Sequence, residues 1–246
     1  MSRLNVEMAE NLAMKMRLML NCSMTEPLNA KTILRLLGIL TMYMPLSDRL
    51  YGLSMKSVDG KCSFMLVNSN STRGRQHFTI AHELYHLFYD DDPQPHFCAS
   101  GVSDESERSA NLFAGALLMP RLGLLQNIPS SELASGRLSL TTLLTLEALY
   151  GVSHSTLLIR LKELKLISKN DYDRYSALKI MHEALFRGFS TDVYEKGNEG
   201  LVIGDFGAKA RELYDREIIS EGHYIELLNM IGYGGRGDDS ADCVGC

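Results

Sequence analysis

The segment Gln76–Tyr89 constrains this chain more than any other. Phe78, Ile80, Ala81, Leu84, Leu87 and Phe88 recur at helical spacing and leave a narrower polar face for His82, Glu83 and His86. On a helix, residues four apart share a side, so the two imidazoles point the same way. Asp90-Asp91-Asp92-Pro93 stops the segment. Strands are expected ahead of it at Leu40–Leu46, Tyr51–Val58 and Lys61–Asn68. The last two flank Asp59-Gly60, a dipeptide suited to a two-residue type I′ turn. Together these form a small antiparallel sheet followed by a helix.

Other helices bracket this unit. An amphipathic N-terminal helix carries Leu4, Met8, Leu12, Met16 and Met19 and ends in the Asn21–Pro27 region; Ala30–Leu37 follows and runs to Gly38. Ser103-Asp104 caps a helix through Glu107, Ala110, Phe113, Ala114 and Leu117, which Pro120 ends. After a loop containing Pro129 and Gly136, Leu138–Tyr150 and His154–Leu164 are joined by Gly151-Val152-Ser153 in the outline of a helix-turn-helix. Asp171–Phe186 and Ala208–Met230 read as helices, and the tail Gly232–Cys246 reads as disordered.

Composition narrows the class. The 246 residues are 45% hydrophobic and 22% charged, with no apolar run of about 18 residues to span a bilayer. Glu7, Glu10 and Lys15 interrupt the first helix, which therefore reads as a cytoplasmic helix rather than a secretory leader. Five scattered cysteines (Cys22, Cys62, Cys98, Cys243, Cys246) suit a reducing compartment, and the terminal CxxC is given no role. A net charge of −5 argues against a surface that attracts nucleic acid as a whole.

His82-Glu83-Leu84-Tyr85-His86 supplies half of a tetrahedral zinc site, since both imidazoles can reach one ion at about 2.0–2.1 Å. Glu83 sits beside that face and suits a general base that takes a proton from water and later delivers it to a leaving amine. A catalytic zinc needs a third protein ligand. Glu107 leads, because Ala110 and Ala114 on the same side of its helix let two backbones approach; the alternative makes it the N3 glutamate of a capping-box-like start after Asp104. Glu105 and His96 are the reserves, and His96 reads as a ligand, a transition-state stabiliser or a surface histidine.

These residues carry a resemblance. RQHFTIAHELYHLFYD followed by ESERSANLFAGALLMP resembles the ImmA/IrrE family of metallo-endopeptidases, through the zinc motif and through Glu107, Ala110, Asn111, Phe113, Ala114, Leu117, Leu118, Met119 and Pro120. It extends back through LTMYMPLSDRLYGLSMK and FMLVNSN and forward through YGVSHSTLLIRLKELKLIS, about two thirds of the chain. Tyr85, where many relatives have glycine, departs from the pattern. The resemblance implies His82, His86 and Glu107 as ligands of Zn²⁺, Glu83 as catalytic base, and regulated cleavage of a helix-turn-helix repressor or antitoxin.

The expected architecture is α+β: a zincin-like domain over residues 1–125, a helix-turn-helix segment over 126–170, and a helical C-terminal region over 171–246. Lys61–Asn68 is the expected sheet edge on which a substrate strand docks. The rival readings are a DNA-binding regulator, with Ser153, His154, Thr156 and Arg160 facing a groove, and a toxin covered by its antitoxin.

Overall fold

A computed structural model describes residues 4–57, 60, 62–90, 94–101 and 104–231. The described residues form an α+β fold. Helix α1 spans Val6–Met19, α2 Ala30–Leu36, β1 Ile39–Met44, β2 Leu50–Lys56, β3 Ser63–Asn68, α3 Arg73–Tyr89, β4 His96–Ala99 and α4 Glu105–Leu118. Beyond these, α5 is Arg121–Asn127, α6 Ser130–Ser135, α7 Leu140–Tyr150, α8 His154–Glu163, α9 Lys169–Ser176, α10 Ile180–Phe186, β5 Val202–Ile203, α11 Phe206–Asp215 and α12 Glu221–Met230.

The sheet is mixed and runs β4-β2-β3-β1-β5. β2 and β3 pair antiparallel as the hairpin pattern predicts, but the ladder closes at Lys56↔Ser63, with the Ser57 N–H donating to the Cys62 carbonyl beyond it. Gly60 has the left-handed φ of 68° that its turn position requires, while Asp59 lies outside the described residues. β1 then pairs with β3 in parallel, from Ile39↔Ser63 to Met44↔Asn68. The sheet is therefore not purely antiparallel, and β3, the expected docking edge, is an interior strand with hydrogen bonds on both sides. Met65 and Val67 of β3 are fully buried. The edges are β4 and β5.

Helix α3 lies across β2 and β3, and Gly52 makes the approach possible. A Cβ there would stand 2.6 Å from the Thr79 methyl and 3.0 Å from the Leu66 carbonyl oxygen. Gly74 does the same at the other end of α3, against the backbone of Val152 and Ser153. Helix α4 packs beside α3 with Ala110 and Ala114 fully buried, the close approach its small residues predict. The buried guanidinium of Arg17 donates to the Leu117 carbonyl at 2.8 Å and the Glu26 carbonyl at 3.0 Å, so α1 supplies donors to the C-terminal carbonyls of α4. One core cluster runs from Ala13 through α3 and α4 to Leu143, Leu157, Leu161 and Ile203.

Several boundaries differ from expectation. The Pro129–Gly136 loop contains α6, ended by Gly136 at φ 65°. Asp171–Phe186 divides into α9 and α10, and Ala208–Met230 divides into α11 and α12, where Glu217 takes φ 56° and Ser220 caps the second helix. Helices α7 and α8 form as expected, but His154 and Arg160 do not face outward. His154 Nδ1 lies 2.6 Å from Glu147 and its Nε2 3.0 Å from the Tyr175 carbonyl; Arg160 donates to the Met119 carbonyl at 3.1 Å and pairs with Glu10. Both are buried, which removes two of the four side chains expected in a groove. No helix among the described residues is long and apolar enough to cross a membrane. Asp91, Asp92, Pro93, Ser103 and the tail with Cys243 and Cys246 lie outside the described residues.

Candidate metal centre

Helix α3 starts at Thr72, whose hydroxyl accepts from the Arg75 N–H, and keeps helical register to Tyr89, so His82 and His86 stack on one side. Helix α4 starts at Asp104, whose carboxylate accepts from the Glu107 N–H at 2.9 Å. The two readings of Glu107 are compatible: its backbone takes the cap while its side chain turns inward, only 5% exposed, towards the histidines.

The donor atoms converge. His82 Nε2 and His86 Nε2 are 3.3 Å apart, His82 Nε2 is 3.4 Å from Glu107 Oε2, and His86 Nε2 is 3.7 Å from Glu107 Oε1. Bond lengths of about 2.0–2.1 Å at a tetrahedral angle separate ligand atoms by about 3.3–3.4 Å, so this triangle fits one small divalent ion. The other ring nitrogens fix the tautomers. His82 Nδ1 lies 3.1 Å from Asn111 Oδ1 and His86 Nδ1 lies 3.0 Å from Asp90 Oδ2, which in turn accepts from Ser106 Oγ at 2.6 Å. Both acceptors require an N–H at Nδ1, which leaves the Nε2 lone pairs aimed at each other. Two lone pairs 3.3 Å apart in a buried site repel unless a cation lies between them.

Glu83, fully buried, lies beside this triangle rather than in it. Ser54 Oγ on β2 donates to its Oε2 at 2.5 Å, and His96 Nδ1 on β4 lies 3.0 Å from Oε2 and 3.3 Å from Oε1. His96 Nε2 lies 2.6 Å from Glu107 Oε1, and its ring stacks on His86 with centroids 3.4 Å apart. His82, His86, His96 and Glu107 thus place donor atoms within 4.8 Å of one another. Glu105, the other reserve, is exposed at the start of α4.

Electrostatics follow the contacts. Burial opposes charge on His96, but the hydrogen bonds to Glu107 and Glu83 outweigh it and hold the pKa up at about 9. Burial would raise Glu107, yet the close imidazoles of His82 and His96 keep it well below the usual carboxylate range. Burial, then the neighbouring imidazoles His96 and His82, push His86 down, which favours the neutral ligand form. Cys98 on β4 is close to His82 and Glu83, and burial together with the two carboxylates pushes its thiol far up. A cavity of about 180 Å³, lined by Ser54, Lys56, His86, Gln94, His96 and Glu107 among others, opens this cluster to solvent.

Sequence reasoning missed Ser54, Asn111, Asp90 and Ser106. Two were within reach: Asp90 follows His86 by four residues and Asn111 follows Glu107 by four, each one helical turn away. Ser54 has no local signal, because only the crossing of α3 over β2 brings it to Glu83.

The sequence profile of the IrrE N-terminal-like domain, a peptidase family, matches residues 35–162, more than half of the chain. The match takes in β1–β4, α3, α4 and the α7–α8 pair. No curated protein matches the chain.

Proposed function

The chain belongs to the IrrE N-terminal-like family of metallopeptidases, and we propose that it is a zinc-dependent endopeptidase in which His82, His86 and Glu107 hold the metal and Glu83 is the general base. The observation that carries the reading is the triangle of donors 3.3–3.7 Å apart, with both histidine Nδ1 atoms tied to acceptors. Zinc bound there supplies Lewis acidity, which activates water near neutral pH and polarises the scissile carbonyl. The chain's own groups do the rest. Glu83 takes a proton from the attacking water and hands it to the leaving amine. Its burial strengthens that exchange, since a carboxylate in low dielectric interacts strongly with whatever faces it. Asn111 and Asp90 keep the histidines in the ligating tautomer, and Asp90 is steadied by Ser106.

Strand addition at a free edge suits an extended peptide, and the edge next to the site is β4, which pairs only with β2 among the described residues. The substrate class we favour is a helix-turn-helix repressor or antitoxin, supported by the family membership rather than by any contact in the chain. The helix-turn-helix segment itself reads better as a packing element than as a DNA reader, given the burial of His154 and Arg160.

Metal content by mass spectrometry tests the site. About one zinc per chain is expected in the wild type and in Glu83→Gln, and almost none in His82→Ala or Glu107→Ala. Wild-type protein that takes up no zinc when offered it would end the peptidase reading. Helix-turn-helix repressors encoded beside the gene are then incubated with the zinc-loaded wild type and with Glu83→Gln; cleavage by the first alone supports the substrate class, and intact repressors throughout refute it.

A further inference from the structure

We propose that Ser54 and His96 form a positioning clamp, in which the two residues orient the Glu83 carboxylate from the sheet and His96 extends the same hold to Glu107. The proposal rests on the peptidase reading above and adds two residues to it. Ser54 and His96 are register partners across β2 and β4, so one rung of the sheet delivers both to the same carboxylate. Ser54 Oγ donates to Glu83 Oε2, and His96 Nδ1 lies within hydrogen-bond distance of both Glu83 oxygens. The second His96 nitrogen reaches Glu107 Oε1 at 2.6 Å. One ring thus bridges the two carboxylates, Nδ1 facing Glu83 and Nε2 facing Glu107. With both ring nitrogens facing carboxylates, the ring serves here as a positioning group. It touches the base, the third ligand and, by stacking, His86, and it acts through them.

This arrangement divides the labour. Among the described residues the Ser54 hydroxyl donates to Glu83 and to no metal-ligand candidate, so its loss disturbs the base and spares the metal. His96 touches both, so its loss disturbs base and metal together, since a ligating carboxylate depends on the donors that hold its other oxygen. A ring that merely plugged the cleft would give the opposite result, because removing it would free the site.

The experiment uses the full chain with Zn²⁺ as the probe. Zinc affinity is read by chelator competition, and kcat and KM by hydrolysis of a mixed fluorogenic peptide library. His96→Ala is expected to weaken zinc binding about tenfold or more and to lower kcat. Ser54→Ala should leave zinc affinity within about twofold and lower kcat about tenfold with KM unchanged, and Ser54→Thr, which keeps the hydroxyl, should restore it. In a Glu83→Gln background, His96→Ala should still weaken zinc binding while Ser54→Ala changes nothing. Should His96→Ala fold poorly by circular dichroism, His96→Gln, whose single amide nitrogen cannot occupy both ring-nitrogen positions, takes its place and is expected to lose the same zinc affinity. Zinc held equally by wild type and both His96 variants, or a kcat that rises without His96 or is indifferent to Ser54, overturns the clamp while leaving the peptidase reading intact. A wild type without zinc overturns both.

Discussion

Gly52→Ala tests whether the close crossing of α3 over β2 holds the site together. The added methyl would stand 2.6 Å from the Thr79 methyl carbon, 3.0 Å from the Leu66 carbonyl oxygen and 4.0 Å from Glu83 Cγ. The first distance is about 1 Å inside ordinary carbon–carbon contact, and Thr79 is buried on α3, so the helix or the strand has to shift. Overpacking of this kind costs about 1–3 kcal/mol, whereas replacing a mid-strand glycine returns about 0.5–1 kcal/mol of backbone entropy. The clash wins, with a net loss of about 1–2 kcal/mol, or roughly 2–8 °C in Tm for a chain of this size. Thr79→Ser removes the methyl that the new Cβ meets and keeps the hydroxyl. The double variant should therefore recover part of the loss, with a coupling energy of about 1 kcal/mol. Urea denaturation of the four proteins of this cycle, with zinc affinity measured in parallel, provides the assay. Additive effects, or a Gly52→Ala midpoint equal to that of the wild type, would refute the claim that this contact sets the helix-to-sheet spacing.

Three further outcomes follow from the geometry. Zinc at about 100 times its Kd should stabilise the wild type by about 2.7 kcal/mol, raising Tm by roughly 5–10 °C, and leave Glu107→Ala unmoved; an equal shift in both would place the metal elsewhere. Asn111→Ala removes the acceptor at His82 Nδ1 and should weaken zinc binding about 10–100-fold in chelator competition, although Asn111 offers the metal nothing itself. Burial, working against the nearby Arg160, raises the Glu163 carboxyl to about 7, above its ordinary 4.5. The folded chain thus holds that proton more tightly than the unfolded chain does, so the contribution is complete below about pH 4.5 and is lost as pH climbs through 7. Urea midpoints of the wild type should fall relative to those of Glu163→Gln across that window, and parallel profiles would contradict the assignment.

What the sequence made legible was whatever a single helix encodes. His82, Glu83 and His86 are placed by a 3.6-residue period alone, and Ala110 and Ala114 announce the approach that brings Glu107 in. Pairing between distant segments leaves a weaker trace. The four-residue β4 carries no alternation long enough to read, and without it His96 had no address and stayed a reserve beside Glu105. The parallel β1–β3 ladder was hidden for a related reason: the hairpin signal accounts for one side of β3, and nothing in β1 says that it takes the other. The break at Glu217 is a local helix end, with the Glu217 N–H on the Tyr214 carbonyl and the Ile218 N–H on the Leu213 carbonyl, but it falls at a residue type that does not announce a positive φ.

Charge gives a separate argument for a divalent ion. Glu83 and Glu107 each bring −1 into a closed site, Asp90 brings −1 at its margin, and the imidazolium of His96 returns +1. His82 and His86 add nothing, because each spends its one proton at Nδ1. The sum is −2. Buried charge of that size is expensive unless it is paired, and the converging His82, His86 and Glu107 donors suit pairing with a cation. A divalent ion held by His82, His86 and Glu107 would offset that charge and the lone-pair repulsion together. A monovalent ion would leave half of the excess, and a proton shared by the two Nε2 atoms would sacrifice one of the donors.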